Sequence, residues 1–219
     1  MAKKDDSTNS QNAITNASNS RNDSTTAHAA TDNRSKYAPT DEAKMDLVSL
    51  DPENGLNQLF LDCIKDLYWA ENHLVKAIPK MVNAASLPSL QTALSNHLQE
   101  TVGHVERLNQ VFELLGEQPQ AKKCDAMEGL TKEGEGTIES TDPGTPARNQ
   151  GIIMSAQKVE HYEISSYTGL HNLANKLGKT DVAALLDVTL QEEIASDDKL
   201  AAIAESDVTL SEETDADNL

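Results

Sequence analysis

The residues in this chain best suited to chemistry are carboxylates and an imidazole, spaced for the inner faces of helices. Glu71 stands four residues after Leu67 and three before Leu74. Glu160 and Glu163 belong to the series Ala156, Glu160, Glu163, Tyr167, Leu170, and Glu193 and Asp197 to the series Leu186, Thr189, Glu193, Asp197, Leu200. Glu100 and His104, at i and i+4, flank a further apolar stripe. Steps of three and four keep residues on one face of a helix. An unpaired carboxylate in a low-dielectric interior costs several kcal/mol even after relaxation. Lys65, Lys76, Arg107, Lys158 and Lys199 fall mostly on other faces, so a cluster of such acids needs cations from outside the chain. Oxygen ligands with an imidazole suit iron or manganese and accept zinc. The expected metal ligands are Glu71, Glu100, His104, Glu160, Glu163, Glu193 and Asp197. Taken singly, a glutamate beside an apolar stripe is more often a boundary residue in water. It is the recurrence on four helices that points to a metal site. Glu192 reads as solvated or as a backing residue. His97, His161 and His171 read as ordinary polar or core-edge histidines, with His97 left as the alternative to His104 for the imidazole ligand of the second helix.

The elements that must position these residues are all helical. No run alternates with period two, and no Asn-Gly or Asp-Gly pair marks a hairpin. A first helix opens at Asp51-Pro52 and carries Leu56, Phe60, Cys63, Leu67, Leu74, Ile78 and Met81 on one stripe. A second opens near Leu87-Pro88, carries Leu94, Leu98, Thr101, Val105, Leu108, Phe112 and Leu115, and stops at Gly116. A third spans about 146–177 with Gly178 as its stop, and a fourth opens at Thr180 or Asp181. Between the second and third lies a connection over 117–150, with a short helix about 126–138 and a turn at Asp142-Pro143-Gly144. Short loops inside each pair force antiparallel neighbours. The long connection can cross a bundle roughly 40 Å tall. The expected fold is all-α: a ferritin-like four-helix bundle with one long crossover between its second and third helices.

The 219 residues divide unevenly. Residues 1–45 lack Leu, Val, Phe and Trp and hold six bases and six acids. Such a segment buries too little to offset its ordering entropy. We expect a disordered polar tail over 1–50, the bundle over 51–205, and an acidic tail over 206–219. The formal charge of −18 argues against nucleic acid or anionic membrane as partner, and no apolar run is long enough to span a bilayer. Two cysteines and no secretory signal point to the cytoplasm.

Several runs resemble the YciE/YciF family of bacterial ferritin-like stress proteins. They are Leu67-Tyr68-Trp69-Ala70-Glu71, His97-Leu98-Gln99-Glu100-Thr101, Gly103-His104-Val105-Glu106-Arg107-Leu108, Cys124-Asp125-Ala126-Met127-Glu128-Gly129-Leu130, Gln157-Lys158-Val159-Glu160-His161-Tyr162-Glu163-Ile164 with Tyr167, and Thr189-Leu190-Gln191-Glu192-Glu193 with Asp197. The resemblance covers about 55–205. It implies a homodimer with a centre of two metal ions, iron or manganese, related to that of rubrerythrins, a role in stress or oxidative defence, and an electron donor it does not identify. It implies that Glu71, Glu100, Glu160 and Glu193 are the core carboxylates. The usual Glu-x-x-His would place His at 103 and 196, where Gly103 and Ser196 stand, so His104 and Asp197 take their place in the expected set. The alternative is a stress or structural bundle that binds metal or a partner without turnover.

Overall fold

The computed structural model describes residues 52–208. The disordered tail expected over 1–50 and most of the acidic tail expected over 206–219 lie outside the described residues. Five helices follow in order: α1 (Pro52–Ala84), α2 (Pro88–Leu115), α3 (Asp125–Ser140), α4 (Pro146–Lys176) and α5 (Thr180–Ser206). Among the described residues there is no strand, and no helix is long and apolar enough to cross a membrane. The expected boundaries of the second, third and fourth long helices agree with α2, α4 and α5 closely. Gly116 and Gly178 end α2 and α4 in the left-handed region, at φ 71° and 70°. At each, backbone N–H groups bond back to the last turn: Glu117 N to Phe112 O at 2.9 Å, and Lys179 N to Ala174 O at 2.9 Å.

Around the bundle, α1 packs on α2 and α4, and α5 packs on α2 and α4. The helices joined by the long connection, α2 and α4, are therefore diagonal. A chain leaving α2 must return along the outside before α4 can begin, and α3 is that return. Its path is pinned to α1. Lys122 N donates to Lys65 O (3.0 Å), His73 Nε2 meets Thr131 Oγ1 (2.9 Å), and Lys80 Nζ meets Glu135 Oε1 (2.5 Å). Cys124 caps α3, its Sγ accepting from Met127 N at 3.4 Å. At the far end Asn149 Oδ1, on α4, accepts from Ser86 N (2.9 Å) and closes the α1–α2 corner. The all-α bundle with a single long crossover is the architecture expected from the sequence. The core is apolar at both ends, with Phe60, Ile64, Leu67, Leu108 and Phe112 toward one and Leu90, Ile152, Ile153 and Leu200 toward the other.

The face of α2 is turned about one residue from the expected stripe. Leu94, His97, Thr101, His104 and Leu108 are buried, whereas Leu98 and Val105 are only half-buried. Reading hydrophobicity alone draws the stripe through Leu98 and Val105. The structure buries two histidines there because the facing helices present carboxylates, and imidazoles match them better than methyl groups do.

Candidate metal centre

Midway along the bundle every long helix contributes a buried polar side chain. Glu71 comes from α1, His97 and His104 from α2, Glu160 and Glu163 from α4, and Glu193 from α5, each 5% exposed or less. They form two groups that share one member. His97, Glu160, Glu163 and Glu193 bring one ligand atom each within 4.8 Å of one another, and so do Glu71, His104 and Glu193. Glu193 faces both. Its Oε2 lies 3.9 Å from His97 Nε2 and its Oε1 lies 3.0 Å from His104 Nδ1. Glu160 Oε1 stands 3.4 Å from His97 Nε2, and Glu71 Oε2 stands 3.5 Å from His104 Nδ1. The two rings are 6.3 Å apart.

The helices place these groups by simple periodicity. His97 and His104 are seven residues apart, two turns on one face of α2. Glu160 and Glu163 are three apart on α4. Outer side chains then hold the inner ones. Tyr167 OH donates to Glu71 Oε1 at 2.5 Å, and Ser196 Oγ donates to Glu160 Oε1 at 3.1 Å. Glu192 Oε2 accepts from His104 Nε2 at 3.0 Å and is itself gripped by Arg107, whose Nη1 and Nη2 donate to its two oxygens at 2.9 and 3.2 Å. Glu192 thus accepts the hydrogen bond from Nε2–H and leaves Nδ1 facing Glu71 and Glu193, the arrangement by which a carboxylate orients a metal-binding imidazole. Thr101, between the two histidines, spends its hydroxyl on His97 O (2.8 Å) and adds no donor to the cluster.

Burial is the largest influence on the acids. It pushes the carboxyls of Glu160, Glu163 and Glu193 above the usual carboxylate range, and the neighbouring carboxylates push Glu163 further. Burial opposes a charge on His104, but its contacts with Glu193 and Glu71 win and draw its pKa up to about 10. Burial is likewise the largest influence on His97 and opposes a charge there, but Glu100, Glu160 and Glu71 together outweigh it and raise the pKa. Burial also lifts the Tyr167 hydroxyl far above its usual range, so it stays protonated and donates to Glu71.

The donor set fits a metal. Among the described residues, the buried side-chain N and O atoms without a hydrogen-bond partner are Ser89 Oγ and eight atoms of this cluster: Glu71 Oε2, His97 Nδ1, His104 Nδ1, Glu160 Oε2, both oxygens of Glu163 and both of Glu193. Buried polar atoms are nearly always satisfied; seven of these eight face the interior of the cluster and His97 Nδ1 faces Glu100 at its edge, an arrangement that could hold a metal ion. The four carboxylates and two imidazoles form an oxygen-rich donor set that could hold a metal ion.

Of the expected ligands, the structure gathers Glu71, His104, Glu160, Glu163 and Glu193. It leaves two outside both groups. The Glu100 side chain is 46% exposed, with Oε2 at 3.6 Å from His97 Nδ1. Asp197, 19% exposed, accepts from Gln157 Nε2 at 3.1 Å and meets His161 Nε2 at 3.0 Å. His97, which the sequence offered only as the alternative to His104, is in the centre beside it. Its spacing of seven from His104 was the available signal. A Cβ built at Gly103 would meet nothing within 4 Å.

The family model of the domain of unknown function DUF892 matches residues 55–213. The chain is 41% identical over 162 residues to Protein YciF of Escherichia coli (strain K12), an alignment covering 74% of this chain and 97% of that protein. The crystal structure of the E. coli stress protein YciF matches with a TM-score of 0.66 at 42% identity, over 68% of this chain and 94% of that one. YcfI of Rhodopseudomonas palustris, described as a candidate structural protein, matches with a TM-score of 0.66 at 39% identity, over 68% and 94% of the two chains.

Proposed function

The chain belongs to the DUF892 family that includes the stress protein YciF, and from that premise we propose that it serves stress or oxidative defence as a ferritin-like carboxylate protein for two metal ions, iron or manganese. One observation carries this reading: Glu193 belongs to both ligand groups, with its buried Oε2 facing His97 and its buried Oε1 facing His104. The residues that would hold the ions are His97, Glu160 and Glu163 on one side, Glu71 and His104 on the other, and Glu193 in common. A bound pair of redox-active ions would supply electron exchange with oxygen or peroxide, with charge spread over both. The protein's own part is to exclude water by burying every ligand, to orient Glu71 through Tyr167 and Glu160 through Ser196, and to fix the His104 ring through Glu192 and Arg107. The assembly we propose is a homodimer. A reducing cytoplasm accords with Cys63 and Cys124, both free thiols in the structure.

Metal content by mass spectrometry on protein purified without chelators, with the native mass read alongside, tests this. The expected result is two ions per chain, both lost in Glu193→Ala, one lost in His97→Ala or Glu163→Ala, and neither lost in Glu100→Ala. A chain without stoichiometric metal, or a Glu193→Ala variant that keeps both ions, rules the reading out.

A second reading, metal binding without turnover, draws support from the description of the R. palustris relative as a candidate structural protein. It is separated from the first by peroxide consumption: the loaded protein consumes peroxide in the first case and leaves it untouched in the second.

A further inference from the structure

A centre whose ligands are all buried raises the question of how a hydrated cation reaches it. The fold closes one side. Helix α3 packs over α1 and α4, and the narrow space behind it reaches His97 and Glu160 only past a mostly apolar lining that includes Leu74, Ile78, Met81 and Val159, with Lys80 and Glu135 on its wall paired to each other at 2.5 Å. The opposite seam, between α2 and α5, has no helix laid over it among the described residues and forms an open groove. Its walls carry the carboxylates of Glu100 and Asp187 against one base, Lys199, together with Glu192, whose charge Arg107 already pairs. Its inner wall includes His97 and Ser196, the two side chains that touch Glu160 Oε1 from that side, at 3.4 and 3.1 Å.

Two features point to a cation here beyond the acidity of the walls. The His97 ring is buried and lines both the groove and the centre, and its Nδ1 has no hydrogen-bond partner. The nearest carboxylate, Glu100, reaches only to 3.6 Å of that nitrogen, too far for a hydrogen bond, while half of its side chain stays in solvent. A carboxylate placed between water and a buried imidazole is positioned to receive an ion.

We infer that metal ions enter through the α2–α5 groove and are received at Glu100, which hands them past His97 to Glu160. This rests on the centre proposed above and adds the route by which it is filled. A cleft of one sign between low-dielectric walls concentrates counter-ions and raises their arrival rate by about tenfold or more, an effect that salt removes.

The test is the rate at which chelator-stripped full-length protein takes up cobalt(II), followed by stopped-flow visible absorption, with the final cobalt content measured by mass spectrometry. Removing negative charge, in Glu100→Gln with Asp187→Asn, slows uptake by about tenfold at low salt and by less at high salt. Removing the opposing base, in Lys199→Gln, speeds it. Both variants finish with the unaltered protein's cobalt content. Because the two changes move the rate in opposite directions, a folding defect cannot imitate the pair. Full loading at rates indifferent to both variants overturns the route alone. An unaltered protein that takes up no cobalt overturns the centre and the route together.

Discussion

Glu163 is fully buried, and neither of its oxygens has a hydrogen-bond partner. A side chain so placed is costly to the metal-free fold, and replacing a buried ionisable group with a well-packed apolar one is often stabilising by about 1–4 kcal/mol. Glu163→Leu is therefore expected to raise the melting temperature measured in chelator while lowering metal content, so that stability and function move in opposite directions. Glu192 acts at one remove. It touches no ion in the proposed set but holds the His104 ring from Nε2. Loss of such a partner typically weakens metal binding roughly 10–100-fold. Glu192→Ala is expected to show that loss by competition titration against a chromophoric chelator, and Glu192→Gln, which keeps an oxygen acceptor, to recover part of it.

The ligands arrive at one height because each long helix carries them at the right turn, and α3 keeps two of those helices in place. Its contacts with α4 and α1 are close: a Cβ added at Gly151 on α4 would stand 2.5 Å from the Thr137 methyl on α3, and one at Gly134 on α3 would stand 3.2 Å from the Met81 methyl on α1. Gly151→Val is expected to push α3 off α4 at a cost of about 1–3 kcal/mol, the usual range for overpacking. Hydrogen exchange checks this: amides of α3 exchange faster while those at the centres of α2 and α5, which α3 does not pack against, keep their protection. The same close approach was not legible beforehand. A glycine in a helical stretch reads as tolerated or weak, and only the position of a second helix shows that its missing side chain is what lets the two pack.

Protons and metal ions compete for the same interior, and the competition extends to the stability of the whole molecule. Burial raises the carboxyls of Glu160, Glu163 and Glu193 above the ordinary value of 4.5, and Glu193 and Glu71 raise His104 from 6.5 to about 10. Between the ordinary and the raised value, the folded chain holds protons that the unfolded chain has released. Stability then falls as pH rises. For the carboxyls this contribution is whole below about pH 4.5 and is lost upward from there; for His104 it is whole below about 6.5 and gone above about 10. The metal-free protein is thus expected to melt at a lower temperature at pH 9 than at pH 6, by thermal denaturation in chelator. Metal ions bind the deprotonated ligands, so loading at pH 8 is expected to raise the melting temperature and to flatten or reverse that slope. A metal-free protein that grows more stable from pH 6 to pH 9 would contradict the assignment of these groups to one buried cluster.

The sequence by itself determined the helices, their ends and the crossover. Those follow from local matters: three-to-four spacing of Leu, Ile and Phe, glycines that stop α2 and α4, and a connection too long for a neighbour. It also determined five of the six clustered residues, because Glu71, Glu160, Glu163 and Glu193 interrupt stripes that are otherwise apolar and His104 stands beside one. Tertiary structure alone decided the rotation of α2 about its axis. That rotation brought His97 in, left Glu100 at the rim and set Leu98 and Val105 at the border. A helix has no preferred rotation of its own. The carboxylates on the facing helices supply one, since burying two imidazoles against them satisfies more charge than burying two more aliphatic side chains.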